Sequence, residues 1–303
     1  MNNSLRKLTA GLTALMVMAT MTSVAAFAEG ETIPGASDTL PAGSSDTTLV
    51  PGASETPVTP APADNALTVL SESTPTEQST GAFMIDSESY DTLQQAVNAA
   101  NNGDLITMTG DVTSGGVGIF TKGGTENTKN IIIDFGGFTY TVGDPAVGSP
   151  GTESQGFHFE KGCTITMRNG TIEVASDASN VQFLIQNYCD LTLENLDVDI
   201  TGGGNCYLAA SNNNGSFTIK GDSNIYTDPG ETAIDIMSWP ANNYTTGVTA
   251  TINTTGRIQG KISYGDDGET SPEGAAEKVK LNIQQGIIDG EIEFYGQISN
   301  DDQ

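Results

Sequence analysis

Cys163–Ser176 reads CTITMRNGTIEVAS, Cys189–Gly202 reads CDLTLENLDVDITG and Gly215–Asp228 reads GSFTIKGDSNIYTD. Each stretch starts 26 residues after the one before, and each carries an apolar residue, Thr and a second apolar residue at the same place: Ile165-Thr166-Met167, Leu191-Thr192-Leu193, Phe217-Thr218-Ile219. An alternation of period two is a strand with one face buried and the other wet. Related triplets stand upstream at Ile106-Thr107-Met108 and Ile131-Ile132-Ile133, and downstream at Ala250-Thr251-Ile252 and Leu281-Asn282-Ile283. The steps are 25, 34, 26, 26, 33 and 31 residues. A unit of this length, built of short strands with almost no helical pattern, predicts a solenoid in which each unit buries its apolar row against the next. The expectation is an all-β chain: a right-handed parallel β-helix of seven coils or so, each with three walls.

The outward residue after the triplet checks the register. Asp134, Arg168, Glu194 and Lys220 alternate in sign along successive coils. Stacked at roughly 4.8 Å they pair favourably, though each exposed pair contributes only about 0–1 kcal/mol. The row therefore reads as a device that fixes register and not as a catalytic cluster.

Outward from this core, Arg6 and Lys7, the apolar run Leu8–Val24 and the small-residue sequence Ala26-Phe27-Ala28 fit a cleaved export signal over residues 1–28. Residues 29–82 hold seven of the twelve prolines, with much Thr, Ser and Ala, and Pro34–Thr39 (PGASDT) returns as Pro51–Thr56 (PGASET). Too little apolar surface is present to offset ordering entropy, so this is a disordered linker. It could space the folded domain from a cell wall, carry O-linked sugars, or simply be tolerated. Residues 83–303 form the β-helix domain. It opens on a short helix over Ser89–Gly103, capped by Asp91 with Gln94 three residues on and striped by Leu93, Ala96, Val97 and Ala100. That helix is expected to cover the first coil.

SYDTLQQAVNAANNGDLITMTGDVT, from Ser89, together with IIIDFGGFTYTV and LTLENLDVDI, resembles the opening of the pectate-lyase-like right-handed β-helix proteins exported by bacteria. The resemblance covers roughly residues 87–296. It implies the fold and leaves the activity open, because members include polysaccharide lyases, glycoside hydrolases and surface proteins without known chemistry; this chain is similar to the last type. It also implies an extracellular bacterial location, secreted or at the cell surface.

Composition narrows the partners. The chain holds 38 acidic and 11 basic residues. Without residues 1–28, 9 bases stand against 38 acids, formally −29, a charge that repels nucleic acid and anionic membranes. No cofactor is expected. Calcium would need converging oxygens, and neither an EF-hand nor a glycine-aspartate nonapeptide repeat supplies them. Cys163 and Cys189 fall at the same inward position of adjacent coils and read as small core residues, with an oxidised pair as the alternative; Cys206 has no evident partner.

The chemistry weighs against catalysis. A lyase needs a basic group beside a neutralised substrate carboxylate, and only Arg168, Arg257, seven lysines and His158 are at hand after residue 82. Arg257, Lys220 and Lys261 are the candidates. Hydrolysis needs paired carboxylates: Glu173 and Asp199 should stack, with Asp197 and Asp235 on other walls. His158, between Phe157 and Phe159, should point outward as ordinary surface. No catalytic or metal-binding residue is assigned. Trp239 and Tyr244 are the candidate glycan-binding residues, since exposed rings stack on sugar faces; Trp239 closing a hydrophobic corner is the alternative. Asn212-Asn213-Asn214 reads as a turn. Insertions at Gly143–Gln155 and Asp266–Glu277 are expected to leave one corner, and Pro240–Gly247 another. The expected function is binding or display, toward a polysaccharide or a cell-surface protein, with a carbohydrate-active enzyme as the alternative. The last coil, 281–296, lacks a cap and is expected to pair with a partner or a second copy.

Overall fold

The computed structural model describes residues 81–120, 128–238, 247–266 and 279–295. A hairpin, β1 (Phe83–Ile85) and β2 (Glu88–Tyr90), leads into helix α1 (Leu93–Ala99). The first turn follows as β3 (Leu105–Met108), β4 (Val112–Ser114) and β5 (Val117–Ile119), and the second as β6 (Asn130–Asp134), β7 (Thr139–Val142) and β8 (Gln155–Phe159). Next come β9 (Thr164–Val174) with β10 (Phe183–Asn187), then β11 (Asp190–Asp199) with β12 (Leu208–Asn212). β13 (Gly215–Gly221), β14 (Asn224–Tyr226) and β15 (Thr232–Ser238) make the fifth set, β16 (Val248–Gln259) and β17 (Lys261–Asp266) the sixth, and β18 (Val279–Asp289) and β19 (Ile292–Tyr295) the last. The strands stack into a twelve-stranded sheet, which holds the central and third walls, and a seven-stranded sheet β5-β8-β10-β12-β15-β17-β19. Seven strands on the central wall are separated by six steps, so the chain is an all-β parallel solenoid of about six turns.

The repeat read from sequence sets the register. Leu191 pairs with Ile165 and with Phe217, Leu193 with Met167 and Ile219, and Ala250 with Phe217 and Leu281. These side chains fill the core. One step differs: Ile106 lies against Ile133, not Ile131. A shift of two residues keeps every side chain on its own face, so the pattern alone does not exclude it. The charge row is present as read, with Arg168 Nε 2.8 Å from Asp134 Oδ2 and Lys220 Nζ 3.3 Å from Glu194 Oε2. Burial raises the Asp134 carboxyl, but hydrogen bonds from the Gly136 N–H, Arg168 and Asn169 outweigh it and hold the pKa below the usual value.

Where the central wall bends into the third, Asn169 (φ 57°) and Asn195 (φ 51°) stand in left-handed backbone, and Gly221 (φ 73°) follows on the next turn. Asn tolerates this conformation because its short polar side chain bonds locally. The Asn195 amide donates toward Asn169 Oδ1 at 3.5 Å and accepts the Asp222 N–H.

The N-terminal end is closed by more than the expected helix. β1 lies antiparallel on β3 and β2 on β1. The cap of α1 is Thr92, not Asp91: its hydroxyl accepts from the Gln95 N–H while the Gln95 side chain accepts from the Thr92 N–H. Gln94, freed from the cap, uses its amide to receive the Gly118 N–H (2.7 Å) and to donate to the Gly118 carbonyl (3.0 Å), standing in for a neighbouring strand on β5. Leu93, Ala96 and Val97 are buried against the first turn.

The insertions are distributed differently from expectation. Residues 143–154 join β7 to β8, whereas 239–247 join β15 to β16 and 267–278 join β17 to β18. The last two therefore connect the same pair of walls on successive turns, because both follow a strand of the seven-stranded sheet. Removing a core methyl cluster from a middle turn leaves a cavity flanked by fixed neighbours. Leu193→Ala is expected to cost roughly 2–5 kcal/mol in urea unfolding, and Ile283→Ala on the half-open last turn less than half of that.

Candidate binding groove

At the corner where the seven-stranded sheet hands the chain to the central wall, a groove of about 470 Å³ crosses the turns. Thr164, Asp190, Ser216 and Thr249 stand in one column along it. Three steps of roughly 4.8 Å give it a length of about 14 Å. Tyr188, Asn214, Cys163 and Cys189 also line it.

The corner is rigid for identifiable reasons. Asn187 Nδ2 donates to the Cys189 carbonyl (2.8 Å) and to Asn212 Oδ1 (2.7 Å), while Asn187 Oδ1 accepts the Cys189 N–H (3.1 Å). Both asparagines are buried in strands, at stacked positions on adjacent turns. Asn212-Asn213-Asn214 is thus not the left-handed turn that was expected; its side chains tie turns together. Asn214 Nδ2 reaches the Tyr188 carbonyl at 2.8 Å. Gly215 takes the left-handed backbone instead (φ 70°), and a Cβ there would meet the Cys189 carbonyl oxygen at 2.6 Å. Cys163 and Cys189 are not joined in a disulfide, and they stack at the same position of adjacent turns. Burial pushes Cys163 up to about 11 and Cys189 well above its ordinary value.

The groove is lined by hydroxyl residues, by Tyr188 and Asn214, and by one carboxylate residue. Asp190 is exposed and accepts from the Ser216 N–H (3.1 Å) and hydroxyl (2.7 Å). Trp239 and Tyr244 lie outside the described residues. The segment that holds them ends at Gly247, which lines the groove.

The acid and base candidates do not converge. Arg257 pairs with Asp289 at 2.6 Å and Lys261 with Glu293 at 3.2 Å, in addition to the paired Arg168 and Lys220. Glu173 and Asp199 do stack, but Glu173 accepts from the Thr141 hydroxyl (2.7 Å) and Asp199 from the Thr201 hydroxyl (2.6 Å) and N–H (2.8 Å). Asp197 shares β11 with Asp199 and bonds Asn224 at 2.7 Å, so it is on the same wall and not another. Asp235 is on the seven-stranded sheet, receiving Ser263 Oγ at 2.7 Å and the Tyr295 hydroxyl at 3.1 Å. Though some of its surface remains accessible, the surrounding protein strips its water and raises its pKa; the two hydrogen bonds and Lys261 oppose this. No group of three or more His, Cys, Asp or Glu able to hold a metal ion occurs among the described residues.

His158 corrects the expectation of ordinary surface. It points away from the core as alternation requires, yet it is buried between the rings of Phe120 (5.0 Å) and Tyr188 (5.6 Å), with Nδ1 3.3 Å from Gln155 Oε1. Burial lowers its pKa to about 4, against the opposing charge of Glu160. The Phe120 and Tyr188 contacts come from other turns and leave no mark in the local pattern. The asparagine column was readable: Asn187 and Asn212 are 25 residues apart, the length of a turn.

No family model, no curated protein and no solved structure matches this chain.

Two pH effects follow. The folded His158 binds its proton more weakly than the unfolded chain, so stability is present above pH 6.5 or so and is lost as pH falls toward 4, by about 3 kcal/mol. His158→Gln is expected to lack this component when urea unfolding is compared between pH 7 and pH 4. Asp235 has the opposite sign: its raised pKa penalises folding once the unfolded carboxyl ionises. Asp235→Asn, which keeps an acceptor for Ser263 and Tyr295, is expected to be more stable than the parent at pH 7, with the gap closing as pH drops below 4 or so.

Proposed function

We propose that this is an exported, extracellular β-solenoid that binds an extended, neutral glycan along the corner groove and acts by binding or display. The observation that carries the reading is the groove itself. A column of Thr164, Asp190, Ser216 and Thr249 repeats hydrogen-bonding groups at the strand spacing, with Tyr188 also lining the groove. A regular polymer meets such a column with register, each residue along it finding a polar side chain. Rings beside polar groups suit the mixed apolar and hydroxylated surface of sugars. Among the described lining residues the only charge is the carboxylate of Asp190, which disfavours acidic polysaccharides. The export signal at residues 1–28 and the net charge support an extracellular setting.

A second reading, hydrolysis of a polysaccharide, draws on one observation: Asp235 is held toward its protonated form, the state a general acid requires. Among the described residues, those that act on Asp235 are Ser263, Tyr295 and Lys261, and none is a second carboxylate.

The test is calorimetric titration of the chain with neutral and acidic oligosaccharides, alongside an assay for new reducing ends. Binding of a neutral oligomer, weakened about tenfold or more by Tyr188→Ala and unaffected by Lys220→Ala, is the expected result. Retention of acidic polymers alone would sink the groove assignment. Release of reducing ends, lost in Asp235→Asn, would establish the hydrolytic reading instead.

A further inference from the structure

The two ends of the solenoid differ. At the N-terminal end the edge of β3 is taken by β1, and Gly118 of β5 is taken by Gln94. At the other end, among the described residues, β18 pairs only with β16 and β19 only with β17. No other described strand pairs with the outer edge of β18. The apolar column is open too. Ile252 and Ile262 are fully buried, yet the residues stacked on them, Ile283 and Ile292, are 44% and 47% exposed. Ile287 is 51% and Phe294 39% exposed. Of the five large apolar side chains exposed among the described residues, four are on this turn.

The turn is nonetheless tied to the one before it. Arg257 pairs with Asp289, Lys261 with Glu293, the Tyr264 and Phe294 rings lie 5.2 Å apart, and the Tyr295 hydroxyl reaches Asp235. A fixed, unpaired edge over an open apolar column is a template for another strand.

We propose that the last turn is the interface of a two-fold dimer in which β18 of one copy pairs antiparallel with β18 of a second. β18 can meet a second β18 in a self-complementary, tail-to-tail way, as a two-fold interface requires. Charge fits the same arrangement. β18 carries Lys280 near its start and Asp289 at its end. An antiparallel pairing centred between Gln284 and Gln285 sets Lys280 opposite the second copy's Asp289, twice over, and Leu281 opposite Ile288. The apolar column of each copy then closes on the other.

Sedimentation velocity of the full chain over a concentration series is the test, with hydrogen exchange read on β18 and β19. The expected result is a doubling of mass with concentration, and amide protection in both strands that appears only in the dimer. Ile283→Glu combined with Ile292→Glu should weaken association by about a hundredfold or more. Lys280→Glu should weaken it less, and Lys280→Glu with Asp289→Lys should recover part of the loss. A monomer throughout, open-ended polymers, or a dimer whose β18 and β19 amides exchange as in the monomer would each overturn the proposal. The exchange measurement needs no variant, so it stands even if the double substitution prevents folding.

Discussion

Parallel strands stacked in a nearly constant register place side chains directly above their counterparts one turn earlier, and most of this molecule depends on that constraint. Backbone hydrogen bonds fix the rise at roughly 4.8 Å. Apolar residues then form continuous columns, as Ile165, Leu191 and Phe217 do, and polar residues form columns whose partners are chosen by the turn length. The same geometry that buries the core lines up Thr164, Asp190, Ser216 and Thr249 along the groove. A solenoid cannot alter one turn without changing what its two neighbours touch.

Columns also explain which polar groups are tolerated inside. Asn187 and Asn212 are buried amides, and each would be costly alone. Stacked on adjacent turns, they are linked: Asn187 donates to Asn212 Oδ1 and to the Cys189 carbonyl, and Asn212 donates to the Thr249 carbonyl, so the corner exchanges water for a hydrogen-bonded ladder. The ends follow a different rule, since a column must stop somewhere. Gln94 shows how one amide side chain can supply a strand's missing donor and acceptor.

What the sequence made legible follows from this geometry. The triplets, the charge row from Asp134 to Lys220 and the stacked Cys163 and Cys189 all repeat at turn length, so they could be read as columns before any coordinates. Features set across turns by residues that do not repeat were hidden. His158 alternates outward correctly, but its burial by Phe120 and Tyr188 is not a periodic property. The register of β3 was off by two because Ile131 and Ile133 are equivalent in parity and in chemistry. Asp91 and Thr92 are both good caps, each with a glutamine three residues on, and the structure closes the box between Thr92 and Gln95. The groove was missed for a related reason: its residues lie just before each triplet, where Thr164, Asp190 and Ser216 share no residue type.

The alternating charge row has one more consequence. Solenoids gain and lose whole turns readily, because excision of a complete repeat leaves every inward residue in place. Loss of residues 189–214, one turn of 26 residues, would rejoin Tyr188 to Gly215 and preserve the core column. It would also set Lys220 directly beside Arg168, replacing two attractive pairings with a repulsive one. The row therefore records the parity of the turn number, and a chain that has dropped a single turn carries a charge clash that a chain missing two would not.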